Sequence, residues 1–173
     1  VLDLVSNLTA YSTQPFIVTF PCGGVINTST FAPKVDFPAG YSGHNVVSGD
    51  LDGDGKSDLI FIREQNQNIV SVLRNISTSG NISFAAKVDF ATGAWPERVA
   101  ISDLDGDGKQ ELVVLNRVAN TVSVFKNTCV NGTISFASKI DFATGDSPQG
   151  VTIGDFDADG KPDLAIANTI DNT

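Results

Sequence analysis

Apolar residues along this chain fall in short runs rather than at helical spacing. Val46-Val47, Val99-Ala100-Ile101 and Val151-Thr152-Ile153 each lead, through one or two small residues, into an aspartate. Past a nine-residue acidic segment comes a second run without a polar face: Leu59-Ile60-Phe61-Ile62, Leu112-Val113-Val114-Leu115 and Leu164-Ala165-Ile166-Ala167. Such runs fit strands covered on both sides. A polar turn then leads to alternating segments, Ile69-Val70-Ser71-Val72-Leu73 and Val122-Ser123-Val124-Phe125, which predict strands with one wetter face. A fourth alternating segment recurs as Phe31-Ala32-Pro33-Lys34-Val35-Asp36-Phe37, Phe84-Ala85-Ala86-Lys87-Val88-Asp89-Phe90 and Phe136-Ala137-Ser138-Lys139-Ile140-Asp141-Phe142. Each copy is followed three residues later by a glycine: Gly40, Gly93 and Gly145. No capped stretch of helical period occurs.

The acidic segments begin at Asp50, Asp103 and Asp155, 53 and then 52 residues apart. A period near fifty indicates a propeller, a solenoid or an array of small domains. Four short antiparallel strands per unit favour an all-β fold built of β-propeller blades. Separate domains would each need a core of their own, which is hard at fifty residues; an all-β solenoid is the alternative. The expected division is residues 1–37 as later strands of one blade, here Leu2–Ser6, Phe16–Phe20 and Phe31–Phe37. Residues 38–90 and 91–142 follow as two full blades, and 143–173 as the first half of another. About three blades are too few for the usual closed ring of four to eight. The expectation is therefore a fragment of a longer chain, or copies that associate to close the ring.

The acidic segments carry the chemistry. Asp50, Asp52, Asp54 and Asp58 recur as Asp103, Asp105, Asp107 and Glu111, then as Asp155, Asp157, Asp159 and Asp163. Two like charges about 4 Å apart cost roughly 1 kcal/mol in water and about 4 kcal/mol at an effective dielectric near 20. A loop that repeats this cost three times reads as a cation site. Carboxylates at positions 1, 3 and 5 offer hard oxygens, of which calcium takes six to eight. Position 6 is Gly55, Gly108 or Gly160, suited to a sharp reversal. Position 7 is Lys56, Lys109 or Lys161; the expected ligand there is the backbone carbonyl, with the ammonium turned to solvent. An EF-hand would need a glutamate at position 12, where Phe61, Val114 and Ile166 stand. The reading is about three calcium ions.

Bulk composition adds little. The net charge of -9 is mostly local, since the three loops hold twelve of the 20 acidic residues. Three divalent ions would offset six of those charges, and nothing basic enough for nucleic acid remains. No apolar run approaches a membrane span. Cys22 and Cys129 lie two units apart, and a bond between them is not expected.

The pattern Asp-x-Asp-x-Asp-Gly-x-x-Asp/Glu, between an inner strand and a Leu-rich second strand, resembles the FG-GAP/VCBS repeat family. Blades of this kind build the integrin α-subunit propeller. The resemblance covers about residues 31–173. It implies a calcium ion in each loop between first and second strands, on one face of the disc. The positions matching its ligands are Asp50, Asp52, Asp54, Lys56 (carbonyl) and Asp58, with Asp103, Asp105, Asp107, Lys109 and Glu111, and Asp155, Asp157, Asp159, Lys161 and Asp163. Two departures stand out: Glu111 is one methylene longer, and Ala158 replaces the glycine at position 4.

Three functions compete. The first is a calcium-stabilised, non-catalytic module, extracellular or at the cell surface, for adhesion or for recognition of a glycan or protein. Loops before each first strand vary most among the units, and constant scaffolds with variable loops tend to recognise ligands. The candidate contacts are Tyr41, His44, Trp95, Arg98 and Gln149. The second is the propeller part of a secreted polysaccharide lyase or hydrolase, although no catalytic set is visible. The third is a structural spacer of a surface protein.

Overall fold

The computed structural model describes residues 16–17, 34–37, 43–63, 67–130 and 132–169. Among these there is no helix. The chain divides into two compact units, residues 1–43 and 44–173. In the first, β1 (Phe16–Ile17) pairs antiparallel with β2 (Val35–Asp36). The predicted strand Leu2–Ser6 lies outside the described residues, as do most of the other N-terminal strand positions.

The second unit repeats one sheet. Its first copy runs β3 (Gly43–Gly49), β4 (Asp58–Arg63), β5 (Ile69–Leu73) and β6 (Val88–Ala91), in that spatial order. The second copy runs β7 (Pro96–Ser102), β8 (Glu111–Asn116), β9 (Thr121–Phe125) and β10 (Ile140–Ala143), again in order. A third sheet pairs β11 (Pro148–Gly154) with β12 (Asp163–Asn168). These are antiparallel meanders of propeller-blade type, and among the described residues the sheets do not close into a ring, so the propeller is partial.

The apolar run of β8 shows why no polar face is needed. Successive side chains of a strand point to opposite faces. Leu112 and Val114 enter a core shared with Ile60, Ile62, Val70 and Val72 of the first sheet. Val113 and Leu115 enter a second core, against Val151, Ile153 and Ile166 of the third. All four are fully buried, and burying one such side chain contributes roughly 1.5–3 kcal/mol. The alternating β9 is covered on the same principle, with Val122 in one core and Phe125 in the other.

Two boundaries differ from the sequence expectation. The Phe-Ala-x-Lys segment is not all strand: Phe84 and Phe136 form isolated bridges to Asn75 and Asn127, and pairing resumes only at Val88 and Ile140. Phe136 turns inward instead, meeting Phe90 edge to face at 5.0 Å. The stretches expected as loops before the first strands are also largely strand, beginning at Gly43, Pro96 and Pro148. Irregular register between Pro96 and Arg98, and between Pro148 and Gly150, lets each strand start early. A proline at the first strand position loses no ladder donor that the sheet requires. Among the recurrent glycines, Gly93 has a packing reason. A Cβ on Gly93 would lie 2.6 Å from the Asn116 side chain, whose Oδ1 accepts the Gly93 N–H at 3.0 Å.

Candidate functional site

Each acidic segment links the first and second strands of its sheet, and its carboxylates first organise their own loop. Asp50 accepts N–H groups from Gly53 (2.8 Å), Asp54 (3.1 Å) and Gly55 (2.8 Å). Asp103 accepts from Gly106 and Gly108, at 2.8 and 2.9 Å. Asp155 accepts from Asp159 and Gly160, at 3.1 and 2.9 Å. The position-6 glycines have φ of 81°, 85° and 83°, with nothing near an added Cβ, so conformation rather than space demands glycine. Ala158 takes φ 63° at position 4, where Gly53 and Gly106 have 77°.

The closing carboxylate at position 9 opens the second strand and reaches back. Asp58 accepts the N–H of Leu51 at 3.0 Å and that of Asn75 at 2.8 Å. Glu111 does the same for Leu104 and Asn127, at 2.8 and 3.2 Å. Its extra methylene thus preserves the contacts made by the shorter aspartate. Asp163 accepts from Phe156 at 3.0 Å. Burial pushes the Asp58 carboxyl above the ordinary carboxylate value; the Asn75 and Leu51 amides oppose the shift, and the charges of Asp52 and Asp54 add to it.

Three oxygens converge in every copy: one each from Asp50, Asp52 and Asp58, from Asp103, Asp105 and Glu111, and from Asp155, Asp157 and Asp163. Within each triad they lie within 4.8 Å of one another. Positions 1, 3 and 9 are therefore brought together. The position-5 groups Asp54, Asp107 and Asp159 are outside these triads. Each spends one oxygen on the N–H of Lys56, Lys109 or Lys161, at 2.9, 2.9 and 2.8 Å.

The other oxygen of each position-5 carboxylate faces a cation. Arg74 donates through Nη2 to Asp54 at 2.9 Å and through Nε to Asp52. Lys126 donates to Asp105 and lies 3.5 Å from Asp107. Lys161 donates to Asp159 of its own loop at 2.8 Å. The bond from Lys126 holds the Asp105 carboxyl below its usual value, and that from Lys161 does so for Asp159. The lysine side chains do not uniformly turn to solvent as expected. Lys109 donates to the Cys129 carbonyl at 3.0 Å, because the half-buried loop brings that acceptor within reach.

Arg74, Lys126, Asn75 and Asn127 are not singled out by the acidic motif. Their signal is a second repeat: a basic residue followed by asparagine, directly after the alternating third strand. Asn75 donates to the Ser57 carbonyl at 2.8 Å. Asn127 donates to the Gln110 carbonyl and to the Leu51 carbonyl of the preceding loop, both at 2.9 Å. One buried amide thus braces two acidic loops. Cys129 is a free, buried thiol whose pKa burial pushes up; Cys22 lies outside the described residues.

The candidate ligand contacts are dispersed. Tyr41 lies outside the described residues. His44 is exposed on β3, 4.0 Å from the Glu97 carboxylate. Arg98 and Gln149 are half-buried in β7 and β11. Trp95 stands on the turn before β7 and lines a cleft with Arg117, Val118, Asn120, Asp146 and Ser147. Those turns connect the opposite strand ends from the acidic loops.

Compared with known proteins, the chain matches a family model for the FG-GAP-like repeat twice, over residues 50–114 and 103–166. Each match opens on the first aspartate of an acidic loop and runs through the next loop into its second strand. A search of curated proteins gives no match.

Proposed function

From the premise that the chain belongs to the FG-GAP-like repeat family, we propose that it is a calcium-binding, non-catalytic propeller module of the cell exterior, serving adhesion or ligand recognition. The observation that carries the calcium reading is the convergence of three carboxylate oxygens in each of three loops. The donor set fits a hard cation, being all oxygen without nitrogen or sulfur. Asp50, Asp52 and Asp58 would hold the first ion, Asp103, Asp105 and Glu111 the second, and Asp155, Asp157 and Asp163 the third. The position-5 carboxylates and the carbonyls of Lys56, Lys109 and Lys161 would complete the shells. The bound ion supplies charge neutralisation, which locks the turn between two strands.

This assignment leaves the carboxylates as permanent anions, a state unsuited to general acid catalysis. An extracellular setting supplies calcium in the range that weak, oxygen-rich structural modules require. Among the described residues, no helix is long and apolar enough to cross a membrane. Further blades, from the remainder of a longer chain or from other copies, would complete the ring. A glycan or protein would then meet the turns at the strand ends away from the ions.

Calorimetric titration of the metal-free chain with calcium tests the proposal. About three ions should bind, and the melting temperature should rise, since saturating a site at 100 times its Kd adds about 2.7 kcal/mol. Asp54→Ala, Asp107→Ala and Asp159→Ala should each weaken mainly one site. A chain that binds no calcium and melts identically with and without chelator would overturn the reading.

A further inference from the structure

Resting on the ligand-recognition reading above, we propose that the cleft beside Trp95 is a saccharide-binding site in which the indole stacks against a pyranose ring. The cleft measures about 410 Å³, within the roughly 300–1,000 Å³ of small-molecule sites. It lies where the turn before β7, the β8–β9 turn at residues 117–120 and the turn before β11 meet.

Trp95 is held from both sides of its peptide unit. Its N–H donates to Asn68 Oδ1 at 3.0 Å, and its carbonyl accepts the Arg117 N–H at 2.8 Å. Its φ is 58°, a left-handed conformation that is uncommon for a bulky residue and persists only where the surroundings fix it. The equivalent turn of the next blade carries Ser147 at φ 56°, fixed likewise by Asn120 Oδ1 at 3.0 Å. The scaffold is therefore repeated, and the aromatic side chain is particular to this blade.

That side chain remains 37% exposed, and neighbouring Val118 is 64% exposed. Together they form an apolar floor. The wall opposite is polar and already ordered. Arg117 Nε donates to Ser147 Oγ at 3.0 Å, and Asn120 Nδ2 donates to Asp146 Oδ1 at 2.6 Å. Among the described residues the Nε bond is the side-chain hydrogen bond of Arg117, so its terminal nitrogens keep their donors for a ligand.

A sugar ring has the matching chemistry, with a face of C–H groups and a rim of hydroxyls. Aromatic side chains bind such amphipathic faces, and a planar guanidinium and a carboxylate bind hydroxyls at the rim. An apolar peptide side chain would use the floor and make no use of the terminal guanidinium donors of Arg117 beside it. A nucleic acid is disfavoured by the net charge of -9.

Trp95 is the chain's only tryptophan, so its fluorescence reports on this cleft alone. The calcium-loaded chain is titrated with the methyl glycosides of glucose, galactose and mannose and with their β-linked disaccharides. A saturable change in emission is expected with at least one of them. Calorimetry should then show roughly tenfold weaker binding for Trp95→Ala, the scale of one aromatic contact. Trp95→Phe should retain most of the affinity. Val118→Asp, at an exposed floor position, should weaken binding while thermal melts and calcium titrations stay unchanged; Arg117→Gln, which also removes the bond to Ser147 Oγ, should weaken binding with calcium titrations unchanged. No saturable response to any of these sugars overturns the proposal, as does binding indifferent to Arg117 and Val118. A response to a hydrophobic peptide without one to sugars would assign the cleft to protein recognition instead. Since calcium is titrated separately, failure here and failure of the metal sites are told apart.

Discussion

The acidic loops at Asp103–Glu111 and Asp155–Asp163 share one pattern of residues and sit in different surroundings. In the former, the closing carboxylate is 2% exposed, meets two backbone amides and opens a strand buried along its whole length. Lys126 and Asn127 reach into it from the end of the third strand. In the latter, Asp163 is half-buried and accepts one amide, while the apolar residue inside the loop, Phe156, is 61% exposed. Its counterpart in the first loop, Leu51, is 1% exposed. Local sequence therefore sets the path of the loop, and neighbouring strands set how firmly it is held.

The largest expected effect comes from removing the closing carboxylate. In metal-free protein, Glu111→Ala leaves the buried amide of Asn127 and the half-buried amide of Leu104 without their acceptor, at about 1–3 kcal/mol for the buried donor and less for the other. Asp163→Ala exposes one amide that water can reach, at about 1 kcal/mol or less. Chemical denaturation with chelator present measures both. Equal losses would show that the surroundings do not matter and that the two loops are equivalent.

A smaller change improves the looser loop. Ala158 holds φ 63°, where a Cβ costs about 1 kcal/mol relative to glycine. Ala158→Gly should raise stability by up to that amount, reduced by the entropy glycine adds to the unfolded chain. The reverse change, Gly106→Ala, should lower it. A destabilised Ala158→Gly variant would mean that the methyl group makes a favourable contact outweighing its strain.

Much of the fold is legible in the sequence, whereas this contrast is not, and the parts that are not legible share a cause. The strands β4, β5, β8, β9 and β12 follow from local periodicity, which a strand obeys wherever it packs. The acidic loops follow from charge spacing within nine residues. Arg74 and Lys126 act over about twenty residues, across a strand pair, so no local window contains both partners. Asn127 is harder still, because one of its acceptors, the Leu51 carbonyl, belongs to the preceding blade. The early start of β7 depends on an irregular register opposite Asn116, which propensity does not encode. The comparable apolar runs of β8 and β12 also give no sign that, among the described residues, one is buried throughout and the other largely exposed.

The smallest effect concerns the cations that lean into the first two loops. Arg74 engages Asp52 and Asp54, and Lys126 engages Asp105 and Asp107. Those carboxylates are among the proposed calcium ligands, so an arriving ion competes with the side-chain cation for them. Among the described residues of the third loop the corresponding partner is Lys161, which reaches only Asp159 and is largely exposed. Arg74→Gln and Lys126→Gln should therefore tighten calcium binding at their own loops a few-fold, whereas Lys161→Gln should change little. Exposed charge pairs are screened, with a Debye length of about 30 Å at 0.01 M salt and about 3 Å at 1 M. The gain should accordingly shrink as salt rises, which calorimetric titration at two ionic strengths would read. If Lys126→Gln weakens calcium binding instead, the lysine shapes the loop for the ion rather than contesting it. The difference between the two loops would then be one of support alone.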